Sequence, residues 1–95
     1  MSFELKITPE AKKQIEKIMK DSSKKGLQKQ LKKAFKNLRD NPKYPALKSH
    51  PFGSVDGVKV WTSYVQNNTP QAYRILWHYG DKKLTITLLS VIPHY

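Results

Sequence analysis

The sequence has 95 residues with no cysteine, only seven acidic residues, and nothing near the ~18 consecutive apolar residues that a membrane span requires. Without cysteine there is no disulfide framework, no thiolate nucleophile and no zinc knuckle. Met1 to Glu10 carries acidic and basic residues where a signal peptide needs an apolar stretch, so a soluble cytoplasmic protein without membrane contact is expected. After residue 40 the only acids are Asp56 and Asp81, each in a turn sequence. No carboxylate cluster of the kind that holds magnesium is present, which disfavours metal-dependent nucleases, and neither metal nor cofactor is expected. A glycine-rich phosphate loop, a nucleophile elbow and kinase-like signatures are also missing.

What the chain does have is positive charge: 18 Lys and Arg give a formal net charge of +11 and a pI of about 10.0. Such a balance favours an anionic partner, most simply nucleic acid. The hydrophobic fraction of 38% is too high for a disordered basic tail, so residues 1–95 read as a single folded domain. Residues 1–48 hold 14 of the basic side chains against five acids, and the remainder holds four against two.

Phe3 to Ile7 alternates apolar and polar side chains and reads as a short strand. Thr8-Pro9-Glu10 then supplies an N-cap, a proline at N1 and an acid in the first turn of a helix expected from Pro9 to about Lys20. Ala11, Ile15, Ile18 and Met19 form its apolar stripe. A second helix, from about Ser23 to Arg39, carries Leu27, Leu31, Ala34, Phe35 and Leu38 at the same spacing and stops at Asn41-Pro42. Asn41 to Gly57 holds three prolines and two glycines and reads as a loop. Val58 to Val65, Ala72 to Tyr79 and Leu84 to Ile92 then read as three strands of an antiparallel meander, joined by turns at 67–70 and 80–83. The expected class is α+β: the N-terminal strand and the meander make a small antiparallel sheet, with a two-helix hairpin on one face.

Chemistry is left to histidine, arginine and tyrosine. Alternation sets Arg74 and His78 opposite Tyr73, Ile75, Trp77 and Tyr79, whose aromatic content suits the helix-packed face, so Arg74 and His78 are expected to face away from the helices. An arginine within Ala72-Tyr73-Arg74-Ile75-Leu76-Trp77 is costly unless paired or solvated. His50 lies in the Pro-rich loop and His94 precedes the terminal Tyr95; each is otherwise an ordinary solvated side chain. The lysine excess cannot be paired within the chain, so Lys32 and Lys36 on the second helix and Lys43 and Lys48 in the loop are candidates for phosphate contacts.

The order of these elements resembles the RelE/ParE superfamily of bacterial toxins. The matching residues are Leu38-Arg39-Asp40-Asn41-Pro42, Tyr44-Pro45-Ala46-Leu47-Lys48-Ser49-His50, Val60-Trp61-Thr62, Tyr73-Arg74-Ile75-Leu76-Trp77 and Pro93-His94-Tyr95. The resemblance runs over essentially the whole chain and leans towards RelE-like messenger-RNA interferases with histidine-based sites, YafQ-like and YoeB-like in different segments. It implies a toxin of a type II toxin-antitoxin system, a ribosome-dependent and metal-free endoribonuclease that a cognate antitoxin neutralises. His50, Arg74, His94 and Tyr95 would be its catalytic residues. The YoeB-like branch has a loop glutamate where this chain has Pro45, which shifts acid-base work onto histidine. Trp61 reads as core. The alternatives are a ParE-like inhibitor of DNA gyrase, which leaves His50 and His94 without a task, and a degenerate basic module that binds RNA or antitoxin.

Overall fold

A computed structural model describes residues 2–66, 72–80 and 82–93. The chain runs β1 (Glu4–Ile7), α1 (Pro9–Met19), a 3-10 turn (Ser22–Lys24), α2 (Lys25–Asp40), a second 3-10 turn (Pro45–Leu47), β2 (His50–Val55), β3 (Val58–Tyr64), β4 (Tyr73–Tyr79) and β5 (Thr85–Pro93). The strands form one sheet in the order β1-β5-β4-β3-β2. Pairing is antiparallel except where β1 lies parallel to β5.

α1 begins where its cap chemistry requires. The Thr8 hydroxyl accepts from the Ala11 amide and donates to the Leu88 carbonyl at 2.9 Å, so the residue that caps the helix also pins it to β5. Farther along, the Gln14 side-chain oxygen accepts from the Val91 amide at 2.6 Å, past the stretch of β5 that β1 covers. Gln28 on α2 donates its amide to the last carbonyls of α1 and to Asp21, supplying partners that a helix end otherwise lacks. Ala11 and Ile18 of α1 and Leu27, Leu31, Ala34 and Leu38 of α2 are buried against Ile75, Trp77, Ile86, Leu88 and Val91 of the sheet. Trp61 packs against this core and stacks on Trp77 with ring centroids 5.8 Å apart.

The structure differs from the sequence reading in two places. The segment read as a loop contains β2, which makes the sheet five-stranded, and β1 joins it in parallel rather than antiparallel fashion. Strand β2 is exposed along its whole length and holds a proline and a glycine, so it carries no alternating burial for periodicity to detect. Its pairing with β3 is closed by Asp56-Gly57, with φ of 51° and 80°, between the paired Val55 and Val58. Positive φ at both central residues is what a two-residue hairpin turn requires. At the opposite end, a Cβ on Gly80 would lie 2.8 Å from the Thr85 side chain, where the chain turns between β4 and β5.

Two β-bulges shape the face of the sheet that the helices leave open. In β2 the register jumps at Phe52, between the pairs Pro51-Trp61 and Gly53-Val60. In β5 it jumps at Leu89, because Trp77 pairs with Leu88 while Leu76 pairs with Ser90. No helix is long and apolar enough to cross a membrane among the described residues.

Candidate active site on the open sheet face

Arg74 and His78 do lie on the face away from the helices, since their neighbours Ile75 and Trp77 are fully buried in the core on the other side. In the register of β3 and β4, Arg74 is opposite Tyr64, and across β2 and β3 His50 is opposite Thr62. Three cationic or titratable side chains therefore converge on one phenol. The Arg74 guanidinium carbon stands 4.5 Å from the Tyr64 ring centroid, and its Nη2 donates to the Tyr64 hydroxyl at 3.2 Å. The Lys48 ammonium lies 5.8 Å from the same ring, and the His50 ring meets it edge-on at 6.0 Å. Stacking on a ring holds a guanidinium without neutralising it, so Arg74 keeps its charge for an incoming anion.

His50 is oriented by its own loop. Lys48 adopts a left-handed conformation, φ 49°, and its carbonyl is 2.9 Å from His50 Nδ1. A carbonyl only accepts, so Nδ1 carries a proton, and the neutral form of the ring has its lone pair at Nε2. The loop is tied to the core by a directional chain of hydrogen bonds. Trp77 Nε1 donates to Ser63 Oγ at 2.7 Å, Ser63 and Ser49 hydroxyls are 2.6 Å apart, and Ser49 donates to the Pro42 carbonyl at 2.7 Å. Because the Ser49 proton goes to Pro42, the Ser63 proton goes to Ser49. A tryptophan in the core thereby positions the residue before His50.

The structure brings His50, Lys48 and Arg74 together and separates other sequence candidates from them. Lys32 and Lys36 project from α2, which packs on the opposite face of the sheet, and Lys36 pairs with Asp40 at 3.0 Å. Instead it is Lys33 of α2 that borders a groove with Tyr64. Lys43 is exposed just after α2, where its amide bonds Asn41. His78 lies two alternations along β4 from Arg74, with Nδ1 bonded to its neighbour's carbonyl, and lines a small separate cavity with Lys6, Lys82 and Thr87. His94 and Tyr95 lie outside the described residues, as do residues 67–70 of the first turn and Asp81 of the second.

Two residues beside this site were not among the site candidates read from the sequence. Tyr64 is the hub of the cluster, and the signal for it was the alternation of β3, which sets Tyr64 on the face of Val60 and Thr62. Thr62 is fully buried, and its hydroxyl has no hydrogen-bond partner. An unmatched hydroxyl costs about 1–3 kcal/mol, and this one sits between His50 on β2 and Leu76 on β4.

A two-helix layer on one face of a mixed five-stranded sheet, with a basic cluster on the open face, defines a small α+β protein. Its architecture is the RelE/ParE-like toxin fold. Solved structures that share it include a YoeB/ParE toxin from Agrobacterium tumefaciens, with TM-score 0.74 and 13% identity over 98% of this chain and 100% of that one. A chain of the archaeal RelE-RelB complex from Pyrococcus horikoshii superposes with TM-score 0.69 and 13% identity, covering 98% of this chain and 96% of that one. The YoeB dimer of Staphylococcus aureus gives 0.66 and 15% identity over the full length of both chains. No family model matches the sequence, and no curated protein does.

Proposed function

We propose that this chain is the toxin of a toxin-antitoxin pair and acts as a ribosome-dependent endoribonuclease on messenger RNA in the cytoplasm. The observation that carries the reading is the convergence of His50, Arg74 and Lys48 on Tyr64 at one corner of the open sheet face. Cleavage beside a 2′-hydroxyl needs a base for its proton, cations for the charge that builds on the pentacoordinate phosphate, and an acid for the departing 5′-oxygen. With its free Nε2, His50 suits the base. The 2′-oxygen attacks phosphorus, the bond to the 5′-oxygen breaks, and the products are a 2′,3′-cyclic phosphate and a 5′-hydroxyl. Arg74 offers two parallel N–H donors to the phosphate, and Lys48 adds a point charge.

The proton for the 5′-oxygen comes from a second acid, for which His94 and then Tyr95 are the candidates by family resemblance. Protons balance equally with the roles of His50 and His94 exchanged. Lys32, Lys36 and Lys43 serve ribosomal phosphates in this reading, and the excess positive charge also suits an acidic antitoxin segment. One of the neighbouring structures is itself a complex of RelE with RelB.

The test is cleavage on programmed ribosomes in the presence of chelator, comparing wild type with folded Arg74→Ala, His50→Ala and His94→Ala proteins. Chelator-resistant cleavage that each substitution reduces is the expected result. Growth inhibition without RNA cleavage would transfer the assignment to a ParE-like inhibitor of gyrase, and neither effect would leave a binding module.

A further inference from the structure

Beside the basic cluster the open face dips into a groove of about 550 Å³ that crosses the sheet from β2 to the start of α1. It is lined by Phe52 of β2, by Val60, Leu76 and Leu89 of the next strands, and by Ser90 and Glu10 on the α1 side. Both bulges feed it, since Phe52 and Leu89 are the two extra residues and each presents an apolar side chain to the groove. Bulges that re-aim side chains cluster beside functional sites. Phe52 is 58% exposed, which is unusual for a large ring with no partner surface.

Glu10 makes the groove chemically directional. A carboxylate in the first turn of a helix is favoured by the helix dipole without touching anything else. Here it also crosses to β5, where its Oε2 accepts from the Ser90 hydroxyl at 3.2 Å, and it forms no ion pair among the described residues. The open face thus presents cations at Arg74, Lys48 and His50, an apolar trough lined by Phe52, Leu76 and Leu89, and a carboxylate acceptor at Glu10. Leu76 is two residues from Arg74 on the same strand face, roughly 7 Å at the usual strand rise. Those three chemistries match the three parts of a nucleotide: phosphate anion, planar ring, hydrogen-bonding edge.

We infer that this groove seats a base of the RNA strand next to the cleaved phosphate and that Glu10 selects guanine there; the inference rests on the ribonuclease reading above. Unpaired RNA bases are recognised by stacking on aromatic rings and by hydrogen bonds to their Watson–Crick edges. Among the four bases only guanine offers two adjacent donors on that edge, its ring N1–H and its exocyclic N2–H, and these match the two oxygens of a carboxylate. Adenine and cytosine offer an amino group beside a bare ring acceptor. Uracil places a single N–H between two carbonyls, which a carboxylate repels. The Ser90 hydroxyl ties the Glu10 carboxylate to β5 beside the apolar residues of the groove.

The experiment maps cleavage sites on programmed ribosomes for wild type, Glu10→Gln and Glu10→Ala, each checked for folding by thermal denaturation. Alongside, guanosine and uridine 5′-monophosphates are titrated into wild-type protein while the Leu76 and Leu89 methyl resonances are followed by NMR. The expected result is guanine enrichment at one fixed position beside the cut, roughly tenfold as for one good bidentate base contact, and its loss in both variants. Glu10→Gln keeps the length and a partner for Ser90, so it separates recognition from helix capping. Cleavage by wild type with no guanine bias would overturn the inference and leave the ribonuclease reading standing. Absence of cleavage, with the guanine nucleotide shifting both methyls and the uracil nucleotide leaving them in place, would overturn that reading and sustain only the selection of guanine by the groove. Equal or absent shifts would overturn the inference. So would a self-associated protein that Phe52→Asp converts to monomers, because the groove would then be a protein interface.

Discussion

The two faces of the sheet carry opposite chemistry on alternate residues of the same strands. On the helix side Ile75, Trp77, Ile86 and Leu88 are completely buried, and the polar atoms that reach inward are joined in the chain from Trp77 to Pro42. On the open side Arg74 is stacked but not ion-paired among the described residues, Thr62 has a buried hydroxyl with no partner, and Phe52 and Val55 are each 58% exposed. A face that satisfies its groups internally is serving the fold, and one that leaves groups unmatched is holding them for something outside the chain. Substitutions on the two sides should therefore separate stability from activity.

The largest effect belongs to the core. Trp77→Ala removes the central buried ring and the donor to Ser63, and unfolding in denaturant should lose about 3–5 kcal/mol. Arg74→Ala, three residues earlier on the same strand, should change that stability by less than about 1 kcal/mol. Its cleavage rate on ribosomes should nonetheless fall by about 10²–10³-fold, as when one transition-state donor is removed. Equal losses of stability in both variants would abolish the distinction between the faces.

Ser49→Ala probes the connection between the two sides. It should cost on the order of 1 kcal/mol of stability, because Ser63 and Pro42 each lose a partner, and it should also lower cleavage by freeing the loop that holds His50. Unchanged cleavage would show that the loop is positioned without the serine chain. Thr62→Val removes the unmatched hydroxyl, so the protein should be as stable as wild type or up to about 1 kcal/mol more so. A clear loss in a chemical-denaturation curve would show that the hydroxyl has a partner in solution.

The smallest effect lies at the helix junction. Asp21 accepts from the Ser23 hydroxyl at 2.5 Å and the Ser23 amide at 2.9 Å, and these bonds hold its carboxyl below the ordinary value of 3.8. A carboxyl with a lowered folded pKa contributes stability that is present above the ordinary value and disappears as pH falls through the lowered one. An acid melting series should show the loss of this small contribution in wild type below about pH 4. Asp21→Asn should not show it.

Much of this arrangement was legible before the fold was known. The Thr8-Pro9 start of α1, the apolar stripes of both helices, and the placing of Arg74 away from them follow from periods of 3.6 and 2. The second strand was hidden because Pro51 and Gly53 interrupt it and every residue in it is exposed. Asp56-Gly57 was the surviving signal for that hairpin. The lysines of α2 could be counted but not aimed: only the packing of Leu27, Leu31, Ala34 and Leu38 turns Lys33 towards Tyr64 and leaves Lys32 and Lys36 elsewhere. His50 and Arg74 were visible as candidates, whereas Tyr64, which joins them, was not.

Local chemistry thus determined the elements, the net charge and the candidate side chains, because caps, turns and periodicity act within a few residues. Tertiary structure decided that β1 runs parallel to β5, that two bulges place Phe52 and Leu89 over one groove, and that His50 and Arg74 meet at Tyr64. Those outcomes depend on register between segments far apart in the chain, and register is set by how whole faces pack rather than by any residue's own preference.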